Sequence, residues 1–329
     1  MTTAPTIRSL VGVALNAAVD RIVAVDRLQP GAIHRPTVLS ELPGGKAANT
    51  ARAAGSLGLP ARVVAVLAGH AGQWYADAMH DLGIELSAVE VDGETRTCLS
   101  VLDRSTNELT EFYEPGVTVP KSAWPRVESA LESALRPTPD GRASDCLVVL
   151  SGSLPPGVPD DAYRRLGEVC RQVGAPWLVD VAGSPLLAAL EAGPWLVKVN
   201  EHEARATADG MWPGGDLAQL AAWLADRSAG NVLLTRGRDG TILHTAGGTW
   251  SYGRPPVGGP FAVGSGDALV AGLAVALARG QPLPDAVRFG SAVAAANALE
   301  PGQGVFDASR LDEIAVAIEV TAGPEQENG

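Results

Sequence analysis

The stretch "CLVVLSGSLPPGVPDDAYRRLGEVCRQVGAPWLVDV", residues 146–181, decides the fold. A short apolar run (146–150) ends in a turn of Ser, Gly and Pro. A segment with helical spacing follows (159–173), and a second apolar run (177–181) closes the unit. Working outward, the same alternation recurs. Apolar runs at 11–15, 62–68, 195–199 and 231–235 alternate with helical patterns at 47–58, 72–82, 184–192, 200–208, 215–228, 267–279 and 284–298. Strands alternating with helices predict a mainly parallel sheet covered by helices, an α/β architecture.

Two regions interrupt that rhythm. The segment 94–115 contains "TCLSVLDRSTNELTEFYEPG", which reads as two strands joined by a polar turn, because period-two spacing coincides with β-branched and aromatic residues. With the segment 20–41 it predicts a small β flap outside the main sheet. The stretch 136–145, "RPTPDGRASD", reads as a polar connection within one domain spanning 1–320, and residues 321–329 read as a disordered tail.

The totals narrow the function. A formal net charge of −12 argues against a general nucleic-acid or membrane binder, which needs a basic surface. An anionic substrate would have to meet locally placed cations. Cys98, Cys146 and Cys170 are scattered and odd in number, which suits a reducing compartment. No basic region followed by an apolar run opens the chain, and no apolar run reaches ~20 residues without a charge or breaker. A cytoplasmic protein is the expectation.

Several motifs carry chemistry. In "AVGSGDALVAG" (262–272), glycines precede an almost wholly apolar helix, so Asp267 is either an ordinary helix cap or a carboxylate set beside an anion-binding helix start. In the second case it can accept a hydroxyl proton while nearby amides hold transferring oxygens. "LPGGKAAN" (42–49) puts Lys46 at a helix start, where a cation is mildly unfavourable unless an anion shares the place. "SGSLPPG" (151–157) leaves small groups and free amides at the carboxyl edge of the sheet. In "VKVNEHEA" (197–204), Asn200 and Glu203 either form a capping box or order hydrated Mg2+. Arg96, in "GETRTCLSVLD" (93–103), is a planar donor able to hold a phosphate at the base of the flap.

In this order, the motifs "LNAAVD", "GGKAANTAR", "GETRTCLSVLD", "EFYEPG", "SGSLPPGV" and "AVGSGDALVAG" resemble the ribokinase-like PfkB family of sugar kinases over nearly the whole chain, and within it the hexose-phosphate kinase branch. The resemblance implies a three-layer α/β/α fold with a mainly parallel central sheet and a β lid formed by about 20–41 and 94–115. It also implies an ATP- and Mg2+-dependent kinase acting on a ketohexose monophosphate, with fructose 1-phosphate the first expectation. Tagatose 6-phosphate, fructose 6-phosphate, an unphosphorylated sugar or nucleoside, and a silent sugar-phosphate sensor are the alternatives.

By the same resemblance, Asp267 would be the catalytic base and Gly264, Ser265 and Gly266 the anion hole. Asp20, Gly44, Gly45 and Asn49 would hold the sugar, while Lys46, Arg96 and Ser153 would meet its phosphate. Lys198, Asn200, Thr235, Gly237 and Asn297 would belong to the nucleotide site, with Glu203 near Mg2+ through water. The lid would also supply a homodimer contact. The chain departs from the family pattern at Ala17, Ala47, Cys98 and Val199, where proline, glycine, asparagine and proline are usual. Ala47 and Cys98 fall near the expected sugar site and bear on substrate identity.

Overall fold

Along the strand Cys146–Ser151, Leu147 and Val149 pack into one hydrophobic core while Val148 and Leu150 pack into another. Successive side chains of a strand point to opposite faces, so a strand with two cores is covered on both sides. The computed structural model describes residues 5–136, 142–228 and 230–323.

In chain order, the amino-terminal part comprises β1 (Ser9–Ala14), β2 (Ala18–Val25), β3 (Thr37–Gly44), α1 (Lys46–Ser56), β4 (Ala61–Leu67), α2 (Gly69–Asp81) and β5 (Glu85–Glu90). Next come β6 (Arg96–Asp103), β7 (Glu108–Tyr113), α3 (Trp124–Ala134), β8 (Cys146–Ser151), α4 (Ala162–Val173), β9 (Trp177–Asp180) and α5 (Ser184–Leu190). The chain continues through β10 (Leu196–Asn200), α6 (Glu201–Ala208), α7 (Leu217–Ala225), β11 (Val232–Thr235), β12 (Thr241–Thr245) and β13 (Gly248–Tyr252). It ends with α8 (Ser265–Ala278), α9 (Leu283–Asn297), α10 (Leu311–Ala317) and β14 (Val320–Ala322).

Ten strands form the main sheet in the order β14-β13-β12-β11-β10-β9-β8-β1-β4-β5. Pairing is parallel from β11 to β5 and antiparallel from β11 outward to β14. Residues of α1, α2, α8, α9 and α10 fill the core on one face, and residues of α3 to α7 fill the core on the other. The sheet order reverses at β1, which pairs with β4 on one side and β8 on the other. A crevice opens outside the carboxyl ends of strands at such a switch point.

A second sheet of four strands, ordered β3-β2-β6-β7, forms the lid. Its two hairpins are joined by the parallel ladder between β2 and β6, running from Ala18↔Arg96 to Val25↔Asp103. Val23, Val25 and Val101 give it a small core of its own.

The six apolar runs and eight helical patterns of the sequence correspond to β1, β4, β8, β9, β10 and β11 and to α1, α2, α4, α5, α6, α7, α8 and α9. Ends shift by a few residues. The helix after "SGSLPPG" starts at Ala162, past Pro159, and α8 starts at Ser265 rather than Asp267. Six elements were not anticipated as such: β5, α3, β12, β13, α10 and β14. Helix α3 buries Trp124, Val127, Leu131 and Ala134, a helical spacing present in the sequence. Thr321 and Ala322 pair with β13, which corrects the expectation that the tail begins at 321; residues 324–329 lie outside the described residues, as do 137–141 of the polar connection.

Helices α8 and α9 touch through glycines. A Cβ on Gly290 would stand 2.5 Å from the backbone oxygen of Leu269, and one on Gly272 would stand 2.8 Å from the Cα of Gly290. Backbone cannot yield as a flexible side chain does, so Gly290→Ala is expected to destabilise by about 1–3 kcal/mol. Chemical denaturation will show this as a lower midpoint, and turnover should fall with it because α8 carries Asp267.

Candidate active site

The carboxyl ends of β1, β8, β9, β10 and β11 open into a cleft of about 1640 Å³ that also reaches the lid and the start of α8. Its floor is charged. Asp180, the last residue of β9, is 1% exposed and accepts from two lysines: Lys198 of β10 at 2.7 Å and Lys46, the first residue of α1, at 3.1 Å. Burial opposes the charge of Asp180, yet the two ammonium groups hold its carboxyl below the usual range. Burial likewise works against the charge of Lys46, and Asp180, Asp267 and Glu203 outweigh it, holding the ammonium above its ordinary value.

Asp267 lies in the first turn of α8, two residues after the helix begins, and makes no capping bond. The cap position belongs to Gly264 in a left-handed conformation (φ 78°), where a Cβ would strike the side chain of Gln303. The cap alternative for Asp267 is therefore not realised. Its Oδ2 accepts from Asn49 Nδ2 at 2.9 Å. Burial raises its pKa to about 7; the Asp180 charge adds to the rise, while Lys46, Asn49 and Lys198 oppose it. The lysines are committed to Asp180, so Asp267 remains the basic carboxylate of the pair.

Gly266 matters for a different reason. A Cβ there would lie 2.7 Å from Lys198 Nζ, so only glycine lets that ammonium approach the first turn of α8. A cation against the positive end of a helix is repelled unless an anion lies between them. Gly264, Ser265 and Gly266 all line the cleft here.

Asp20, on β2 of the lid, is 5% exposed, and its pKa is raised to about 6 by burial, against the influence of Arg52, the Gly45 N–H, Asn49 and Arg96. Gly44 packs on it so closely that a Cβ would stand 2.1 Å from the Asp20 Cγ. Gly44 thus supports Asp20 from behind, while Gly45 and Asn49 line the cleft. Arg96 donates to the backbone oxygens of Asn16 (3.2 Å) and Glu114 (3.3 Å), and its buried Nε has no partner. Asn16 in turn donates to Ser153 Oγ at 2.9 Å. Asn16 therefore gathers Arg96 and Ser153 into one polar patch. Lys46 is drawn away from them into the ion pair with Asp180, a departure from the expected trio.

Asn200 and Glu203 form a reciprocal capping box at the start of α6: Glu203 N donates to Asn200 Oδ1 (2.8 Å) and Asn200 N donates to Glu203 Oε2 (3.0 Å). Both residues still line the cleft, as do Lys198, Thr235 and Gly237. Asn297 does not. It is fully buried, its Nδ2 donating to the Phe261 and Val263 oxygens and its Oδ1 accepting from Gly304 N at 2.6 Å. The expected nucleotide contact is corrected to a brace on the loop that precedes α8; Ala294, Ala295 and Ala298 of the same region face the cleft. Among the described residues, no three His, Cys, Asp or Glu side chains gather as a metal cage.

Sequence reasoning missed Asp180, Asn16 and Arg52. Asp180 ends an apolar strand at the edge where ligands bind, which is the one signal that could have marked it.

This assembly is that of an open α/β enzyme built to hold an anion against a buried carboxylate, and comparison with known proteins narrows it. Residues 10–308 match the family described as pfkB family carbohydrate kinase. A 1-phosphofructokinase of Xanthomonas campestris pv. campestris is 36% identical over 80% of this chain and 83% of its own length. An ATP-dependent 6-phosphofructokinase isozyme 2 of Mycobacterium tuberculosis is 30% identical over 96% of this chain and 90% of its own. Phosphofructokinase-2 from Escherichia coli superposes with a TM-score of 0.84 at 25% identity, covering 94% of this chain and 99% of that one. The chain belongs to the pfkB family of carbohydrate kinases, and its fold is the ribokinase-like one.

Removing the shared carboxylate would strand two cations. Asp180→Ala is expected to destabilise by about 3–5 kcal/mol, as when one member of a buried ion pair is lost. Asp180→Asn, which keeps the shape, should fold better yet still lose turnover, and denaturation together with an ADP-release assay will compare the two.

Proposed function

We propose that the protein transfers the γ-phosphoryl group of ATP to a free hydroxyl of a ketohexose monophosphate, with fructose 1-phosphate the foremost acceptor. The observation that carries this reading is the buried Asp267 carboxylate, whose pKa of about 7 suits a proton acceptor near neutrality, set beside the amides that open α8. Relatives named 1-phosphofructokinase support the choice of acceptor.

In this reading the acceptor hydroxyl lies between Asp20 and Asp267. The phosphate already on the sugar meets the patch of Arg96, Asn16 and Ser153, the local positive site that an acidic protein needs for an anionic substrate. Lys46 and Lys198 face the phosphoryl group in transit, and the Gly264 and Gly266 amides of the expected anion hole hold its oxygens, the Ser265 N–H being engaged with the Ala262 oxygen. Phosphoryl transfer asks mainly for position and charge neutralisation. ATP lies along the groove of Lys198, Asn200, Thr235 and Gly237. Mg2+ fits the donor set through water: the Glu203 carboxylate uses one oxygen in the capping box and keeps the other for a hydrated ion, as Mg2+ prefers few carboxylates plus phosphates. The lid closes over the pair of substrates and keeps water from the reacting phosphate.

The lid exposes Ile33, Val38, Phe112 and Tyr113, with Ile33 87% exposed. These apolar groups support a homodimer through the lid. Among the described residues no helix is long and apolar enough to cross a membrane, and the cytoplasm is the compartment we propose.

Turnover should identify the acceptor. ADP release with Mg-ATP is expected to be fastest with fructose 1-phosphate when compared with fructose 6-phosphate, tagatose 6-phosphate, fructose and ribose. Activity on free sugars alone would reject the phosphate patch. Asp267→Asn should fold yet lose about 100-fold or more in turnover.

The pH dependence has a defined sign. A base with a folded pKa of about 7 must be ionised to act, so kcat/KM should rise with pH along a limb centred near 7. The same raised pKa means that ionisation disfavours the folded state, with stability lost as pH climbs from about 4 to about 7. Asp267→Asn should therefore melt higher than the wild type at pH 8, and the gap should narrow toward pH 5.

A further inference from the structure

Arg52 lies on α1 one turn beyond Asn49 and is only 6% exposed, although among the described residues its guanidinium reaches no carboxylate within ion-pair distance. All its bonds go to oxygen acceptors that are not ionised. Nη2 donates to Asn49 Oδ1 at 2.8 Å, Nη1 donates to the Pro43 oxygen at 2.7 Å, and Nε donates to the Gln303 oxygen at 3.0 Å; Nη2 also contacts the Gln303 oxygen. One side chain thus ties together the root of the lid at Pro43, helix α1, and the loop whose Gln303 side chain packs on Gly264.

The bond to Asn49 has a chemical consequence. A guanidinium only donates, and an ionised carboxylate only accepts. An asparagine placed between them has one satisfactory orientation, with Oδ1 toward the arginine and Nδ2 toward the carboxylate. Asn49 Nδ2 faces Asp267 Oδ2 at 2.9 Å, and the Asn49 amide also favours the ionised form of Asp20. Without Arg52, only the carboxylates would orient the amide, and a protonated Asp267, which can donate, would accept the overturned form with Oδ1 toward it.

We propose that Arg52 is a positioning residue for phosphoryl transfer: it locks the Asn49 amide so that Nδ2 orients Asp267, the base, while binding the lid root and the α8 loop to the same helix. Arg52 does not line the cleft, so it acts through Asn49. The catalytic consequence rests on the kinase reading above, whereas the amide orientation rests on geometry alone.

A double-mutant cycle in the full-length protein tests the first part. Arg52→Lys, Arg52→Met, Asn49→Ala and the Arg52→Lys/Asn49→Ala pair are assayed for kcat and KM with Mg-ATP and the best acceptor, and for ATP-binding stoichiometry by calorimetry. The expected result is a drop in kcat of about 10-fold or more for each single variant, with the ATP stoichiometry near one and its affinity within about 3-fold of wild type. The double variant should be no worse than the worse single, because both changes break one chain of contacts. Losses that multiply in the double variant, or wild-type turnover in either Arg52 variant, overturn the proposal. Arg52→Lys keeps a buried cation and serves if Arg52→Met does not fold.

The second arm needs no activity. The Asn49 side-chain amide signals, assigned by their loss in Asn49→Ala, are followed by NMR. They should shift in Asp267→Asn and shift comparably in Arg52→Lys. Signals that move with Asp267 but stay in place without Arg52 overturn the lock, whatever the substrate proves to be. A wild type inactive toward every sugar, with the amide shifts as expected, would leave the lock standing and overturn the kinase reading instead.

Discussion

Two lysines share one buried carboxylate, and the rest of the site is arranged around that fact. Asp180 could not remain charged at 1% exposure without Lys46 and Lys198, and Lys198 could not sit against the start of α8 without Asp180. The bridge spans α1, β9 and β10, so it fixes the spacing of three elements that are distant in sequence. It also divides the labour between two aspartates. Asp180 absorbs the positive charge and stays ionised, and Asp267, buried nearby with less compensation, is left with the higher proton affinity.

The constraint explains how a protein of net charge −12 can gather anions. Its cations are placed rather than abundant. Lys198 reaches the first turn of α8 only because residue 266 is glycine, and Arg96 keeps an unpartnered Nε beneath the lid. Both arrangements are unfavourable in isolation. Repulsion between an ammonium and a helix start, or an unsatisfied buried donor, is relieved when a negative ligand enters.

Much of this was legible in the sequence, and the limits have physical reasons. Buried parallel strands are continuous apolar runs, so β8 and β9 announce themselves. Helix α8 reads as buried because it is apolar all round. Helix α3 carries its signal in Trp124, Val127 and Leu131 but sits beside a polar connection that masks it, and β12 and β13 are short and mixed in character. Motif residues such as Asp267 and Arg96 stand out because their local setting is odd. Asp180 and Arg52 do not, since an aspartate ending a strand and an arginine within a helix are ordinary until their partners arrive from elsewhere in the chain. Asn297 shows the reverse error: a motif position was expected to touch a ligand, and its bonds instead hold the loop that precedes α8. Ala47 and Cys98, which depart from the family pattern near the expected sugar site, are both buried, with burial and the neighbouring Asp20 pushing the Cys98 thiol up to about 12.

The lid is built from two hairpins joined by the parallel ladder of β2 and β6, with an Arg104–Asp26 ion pair and a bond from the Leu28 N–H to Asp103 beside it, and it contributes to the cleft from within that ladder. Asp20 pairs in register with Cys98, and Ala18 with Arg96. In the proposed function, the groups that would select an acceptor therefore sit on strands of the lid and not on the floor of the cleft. On the proposed reading, a lid that lifted would dismantle the sugar site rather than merely uncover it. On that reading, a substitution on these strands that retunes the choice of sugar also acts on the closing of the lid, and the two properties are coupled.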